Sequence, residues 1–135
     1  MSGISPGSDA LTVLTFEAGG SLFAVAVEDV AEVVSAAGPP RHGTNVIDVV
    51  GILARAGAPG PRGCFIYLRA GGSAGPVALT ASRAREVIQL KREGVLPVPG
   101  FLFHGSSPYL GVVGHEGKAL FLLSGADGLL KATAR

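Results

Sequence analysis

Ser73 lies in Gly71-Gly72-Ser73-Ala74-Gly75, which matches the G-x-S-x-G string of a serine-hydrolase elbow. That chemistry needs a strand-to-helix turn lifting the hydroxyl above a parallel sheet, with an acid and then a histidine later in the chain. Here both flanks read as short antiparallel strands. Only His104 and His115 follow, and Asp127 comes after both. A hairpin turn is the better reading, and a catalytic serine the minor alternative. His42, His104 and His115 sit beside glycine or in loop-like segments, with no i, i+4 partner. His115-Glu116 is not followed by the second histidine of H-E-x-x-H. They read as solvated loop residues, so no metal site is expected. Asp48, inside NVIDVV, lacks a second carboxylate for acid–base work, and period-two alternation turns it outward. Cys64 opens a strand and reads as a small packed residue. There is no P-loop and no dinucleotide fingerprint, so no cofactor is expected.

Composition narrows the remaining classes. The 135 residues suit one domain. Hydrophobic residues make up 47% and charged residues 16%, the opposite of a disordered chain. So apolar a surface is expected to be covered in part by an assembly. Eleven basic and ten acidic residues give a net charge of +1, too balanced to draw in nucleic acid or anionic membrane. A small-barrel nucleic-acid binder would also want aromatics among its basic residues, and there is no Trp. The single cysteine excludes an intramolecular disulfide and a cysteine-rich zinc site. The opening MSGISPGSD lacks a secretory pattern, and no apolar run reaches the roughly 18 residues of a membrane span. A cytoplasmic protein is expected.

The elements that would position any site are mainly strands. Residues 1–9 read as a flexible lead-in, and 10–132 as a single domain. Thr12–Glu17 and Leu22–Val27 alternate around Gly19-Gly20, as a tight hairpin requires. From Glu28 the apolar spacing becomes Val30, Val33, Val34, which predicts a short helix. Glu28 and Asp29 fall in its first turn, where the helix dipole favours acids. NVIDVV is a strand, and GILAR continues into a helical turn. Cys64–Leu68, Val77–Thr80 and Glu86–Leu90 are strands. GVLPVPGFLFHGSSP is a long irregular segment. Tyr109–Val113 and Lys118–Leu123 form a hairpin around Gly114–Gly117, and SGADGLLKATAR is a closing helix.

Part of the pattern occurs twice. LTFEAGGS (14–21) aligns with YLRAGGS (67–73), and VAEVV (30–34) with AREVI (84–88). The offset is 52 at the glycines and 54 at Glu32 and Glu86, so the second copy carries a two-residue insertion. Two related β-rich halves of one domain follow, with small barrels favoured by the short, regularly turned strands. The halves are unequal. After AREVI come two strands, YLGVV and ALFLL; after VAEVV comes only NVIDVV. The first half is expected to be one strand short, leaving an edge or demanding a partner. Charges also divide: Glu17, Glu28, Asp29 and Glu32 in the first copy, Arg83, Arg85, Lys91 and Arg92 in the second. Two solvated faces are expected, or else a polar domain that steers docking.

The order of these pieces resembles CheW-like domains. LTFEAGGSLFAVAVEDVAEVV looks like their opening strands and V-x-E-[VI] helix, and NVIDVVGIL like their V-I-D-L strand. FIYLRAGGSAGPVALTASRAREVIQL and YLGVVGHEGKALFLLSGADGLL resemble the second subdomain and its closing hairpin and helix. The resemblance spans about residues 11–130. It implies two intertwined small SH3-like β-barrel subdomains with short helices, the first apparently one strand short. It implies no catalysis, but a chemosensory-array scaffold that couples chemoreceptor tips to a histidine kinase. By position it implies receptor contacts at Val30, Glu32, Val33, Ala84 and Val87. Ala84 is smaller than the family's branched residue, and Ser82 stands where aspartate is common. Between Val34 and Val46 the chain has only SAAGPPRHGTN, shorter than the family's strand ending in an N-L-R-G-like motif. Arg41 is therefore not equated with that motif's arginine. The gap resembles the shortened CheW-like type of myxobacterial Frz systems, which implies receptor binding with weakened or absent kinase binding. The conventional adaptor, binding both receptor and kinase, is the nearest alternative.

Overall fold

The structure is a computed structural model, and it describes residues 10–48, 63–69, 76–97, 109–126 and 129. The described residues form nine strands: β1 (Ala10–Ala18), β2 (Ser21–Ala26), β3 (Val30–Ser35), β4 (Asn45–Asp48), β5 (Cys64–Leu68), β6 (Val77–Ala81), β7 (Arg83–Lys91), β8 (Tyr109–His115) and β9 (Lys118–Leu123). The expectation of a mainly β architecture holds. The lead-in at 1–9, GILAR, the Gly71–Gly75 turn with Ser73, and His104 lie outside the described residues. So does most of the irregular segment and of the closing helix. Of that helix, Ala126 and Leu129 are helical and buried, with the Leu129 amide donating to the Gly125 carbonyl at 3.0 Å.

Turn chemistry is local and explicit. Ala18 pairs with Ser21 across Gly19-Gly20, whose φ values are 59° and 83°. A two-residue type I′ turn needs positive φ at both central positions, which glycine supplies without Cβ strain. The second tight hairpin turns at Glu116-Gly117, with φ of 52° and 76°. The hairpin expected around Gly114–Gly117 is therefore present, with β8 running on to His115.

The strands form two sheets, ordered β7-β1-β2-β9-β8 and β3-β5-β6-β4. The halves of the sequence exchange strands. The β1–β2 hairpin of the first half lies between β7 and β9 of the second, and the β5–β6 hairpin between β3 and β4 of the first. Position by position, β3, β5, β6 and β4 repeat β7, β1, β2 and β9. The agreement extends to strand direction: β2–β9 and β6–β4 are both parallel, while the other pairs are antiparallel. Among the described residues β8 has no counterpart. Residues 36–44, where one would fall, form turns and irregular chain. The strand deficit expected of the first half is thus located at the outer side of β4, among the described residues.

Three apolar clusters result. The largest joins both sheets and includes Phe16, Phe23, Ile66, Leu79 and Leu129, with Phe16 and Phe23 stacked at 5.7 Å. Behind the five-stranded sheet lie Val13, Leu22, Ala24, Leu90, Leu120 and Leu122. Behind the four-stranded sheet, among the described residues, lie buried Phe65, Tyr67 and Ala78, with Val34 and Ala36 packed against them. The repeat aligns Phe65 and Tyr67 with Val13 and Thr15, so the smaller cluster carries aromatic rings where the larger sheet carries smaller side chains. Cys64 is buried, and burial pushes its thiol up, consistent with a packed residue.

Candidate docking site

The helix expected over Val30–Val34 is not there. Val27–Asp29 makes one 3₁₀ turn, and the chain then extends as β3. The misleading cue is a β-bulge. Val30 pairs with Leu68, but Glu32 pairs with Tyr67, so Ala31 is an extra residue. A bulge shifts the period-two alternation by one. Val30 and Val33, three apart, therefore share the face of Leu68 and Ile66, while Glu32 and Val34 share that of Tyr67 and Phe65. Helix-like i, i+3 spacing thus arises in a strand, and three valines favour that strand.

The same device recurs in β7. Ala84 pairs with Phe16 and Val87 with Leu14, with the irregularity between them. Thr15, opposite the bulge, accepts from the Glu86 amide at 3.1 Å and donates to the Glu86 carbonyl at 2.9 Å. A side chain thus satisfies the main-chain groups that the bulge removes from the ladder. Ala84 and Val87 occupy the places of Val30 and Val33 in the other sheet.

The five candidate contact residues therefore lie on two equivalent edge strands. Val30 and Ala84 are half-buried against the shared cluster. Val33 and Val87 stand at its exposed margin, at 42% and 59% exposure. Glu32 faces the other way, held by the Arg41 guanidinium. Arg41 also lies 4.4 Å over the Tyr67 ring, and its amide donates to the Tyr67 hydroxyl at 3.0 Å. These contacts fasten segment 36–44 over the small cluster of the four-stranded sheet. This role for Arg41 is not legible in its own segment, and the aromatic at position 67 is the cue to it.

The charges do not form two separate faces. Glu17 of the first half meets Arg83 at 3.0 Å and Arg85 at 3.5 Å in the second, because β1 pairs with β7. The Arg83 hydrogen bond holds the Glu17 carboxyl below its usual range, against an opposing contribution from burial. Arg85 also reaches Glu116 at 3.4 Å. Asp48 lies on the opposite face of β4 from buried Ile47, as alternation requires. Among the described residues no helix is long and apolar enough to cross a membrane.

Two strand-exchanged β-sheets around a shared core, each bearing a bulged edge strand, define a CheW-like fold. Among solved structures it resembles the scaffolding protein TtCheW from Thermoanaerobacter tengcongensis, with a TM-score of 0.63 over 84% of each chain at 16% identity. No protein-family model matches the sequence, and no curated protein matches it.

Proposed function

We propose that the protein is a non-enzymatic scaffold of a bacterial chemosensory array. It binds the cytoplasmic helical tip of a chemoreceptor through Val30, Val33, Ala84 and Val87, whereas Glu32, on the opposite face of β3 and held by Arg41, is left out of that contact. One observation carries this reading. Val33 and Val87 are exposed at equivalent places on two edge strands flanking one apolar cluster, and an amphipathic helix can lay its apolar face on such a surface. The fold shared with a protein described as a scaffold supports the class. The cytoplasm is the compartment in which such a tip is met.

The shortened sheet bears on the second partner. A surface built from five strands in one half is built from four in the other, so docking there of the chemotaxis histidine kinase is weakened or lost. The protein would then dilute or reshape the array rather than complete it. Binding of the full chain to a receptor signalling fragment and to the kinase regulatory domain tests both parts. Receptor binding is expected to fall by at least about tenfold in Val33→Arg and Val87→Arg. Tight kinase binding without receptor binding would overturn the proposal. Tight binding of both would restore the conventional adaptor.

A further inference from the structure

We propose that Glu86, His115 and Glu116 form a binding site for a divalent transition-metal ion, of the zinc type, where the two edges of the five-stranded sheet meet. Glu86 belongs to β7, one edge of that sheet, and His115 ends β8, the other edge. Curvature nevertheless brings one ligand atom from each of the three residues within 4.8 Å of the others. An ion with bonds of about 2.0–2.2 Å places its ligands roughly 3.4 Å apart, within reach of small rotations of two exposed glutamates. Two carboxylates and one neutral imidazole carry a charge of −2, which Arg85 beside Glu116 reduces to a net −1, still the sign that attracts a cation. The imidazole nitrogen favours zinc-like metals over calcium or magnesium.

Two further observations point to a cation. The repeat supplies the first. Glu32, at the place of Glu86 in the other sheet, is neutralised by Arg41. Among the described residues no Lys or Arg pairs with Glu86, which is met instead by an imidazole and a second carboxylate. The second is how Glu116 divides its oxygens. Oε1 faces Arg85 at 3.4 Å, while Oε2 faces His115 Nε2 at 3.9 Å. Arg85 thus orients the carboxylate from outside, and Oε2 stays on the imidazole side. Fixing a ligand from behind in this way is the usual work of residues around a metal.

The site is independent of the docking proposal, and so is its test. Zn²⁺ is titrated into the full chain carrying His42→Ala and His104→Ala, which removes the other imidazoles. One equivalent is expected to bind, and His115→Ala and Glu86→Gln are each expected to weaken it by at least about tenfold. Zn²⁺ should raise the melting temperature of the parent and of neither variant, because the ion ties β7 to the β8–β9 hairpin. Mg²⁺ should do neither. Cu²⁺ in the same protein should show coupling to a single imidazole nitrogen by electron paramagnetic resonance, absent in His115→Ala. Circular dichroism of the variants separates a lost ligand from a lost fold. No zinc uptake by the parent, or uptake unchanged in both folded variants, would overturn the assignment.

Discussion

The two sheets are the same design carried out with different means. The five-stranded sheet builds its own core from aliphatic residues of β1, β2, β7 and β9. The four-stranded sheet, lacking a strand, builds its smaller core from Phe65 and Tyr67 and fastens segment 36–44 over it through Arg41. Where one sheet has a fifth strand, the other has larger side chains and one stacked guanidinium. What these do not restore is the strand's outer surface.

If the large cluster belongs to both sheets, Phe23→Ala should destabilise the whole molecule by about 3–5 kcal/mol, in one cooperative denaturant transition. Two separated transitions would show instead that the sheets unfold independently. The seam of the larger sheet comes next. A Cβ on Gly111 would lie 2.3 Å from Val95 Cγ1 and 2.7 Å from the Leu96 carbonyl oxygen. Leu96 and Val112 exchange main-chain hydrogen bonds there at 2.8 Å. Gly111→Ala should therefore cost about 1–3 kcal/mol and speed amide exchange at Leu96 and Val112. In the smaller sheet, Tyr67→Phe keeps the ring under Arg41 but removes the acceptor for its amide. It should cost about 0.5–1.5 kcal/mol, with no matching effect from Thr15→Val on amide exchange in segment 36–44.

The smallest effects are electrostatic. Burial, helped by Glu28, raises the Asp29 carboxyl above its usual range. A raised folded value means that the charged form is disfavoured in the fold, so its contribution is greatest at low pH and is lost as pH rises through the folded value. Asp29→Asn should therefore stabilise the protein at neutral pH and give progressively less gain in acid. Glu17 has the opposite sign. Its lowered value adds stability above the ordinary glutamate range, and this is lost as pH falls through the folded value. Glu17→Gln should flatten the acid limb of the stability curve, the more so at low salt, since the pair is exposed.

Much of the strand content was legible because alternation and paired glycines are local signals. LTFEAGG and SLFAVA carry their hairpin in plain view, and the repeat disclosed both the pairing of halves and the missing strand. Val30–Ser35 was misread because a bulge copies helical spacing, and only the partner strand reveals the extra residue. The exchange of strands between halves was not legible from periodicity, which records faces but not neighbours. Arg41 and Glu116 were overlooked for a similar reason: each acts on residues brought near by long-range pairing. Val33 and Val87 could be marked as equivalent from the repeat, but their exposure follows from both strands lying at sheet edges.

Strand exchange also constrains how the chain can be made. β1 is held on one side by β7, with Ala10 opposite Lys91, and β2 on its outer side by β9, with Leu22 opposite Leu120. As the chain leaves the ribosome, the first hairpin therefore waits for nearly all of the remaining sequence before either flank is covered. Contacts so distant in sequence make for slow folding. In the interval the growing chain carries a two-stranded ribbon whose apolar residues are covered only when β7 and β9 arrive.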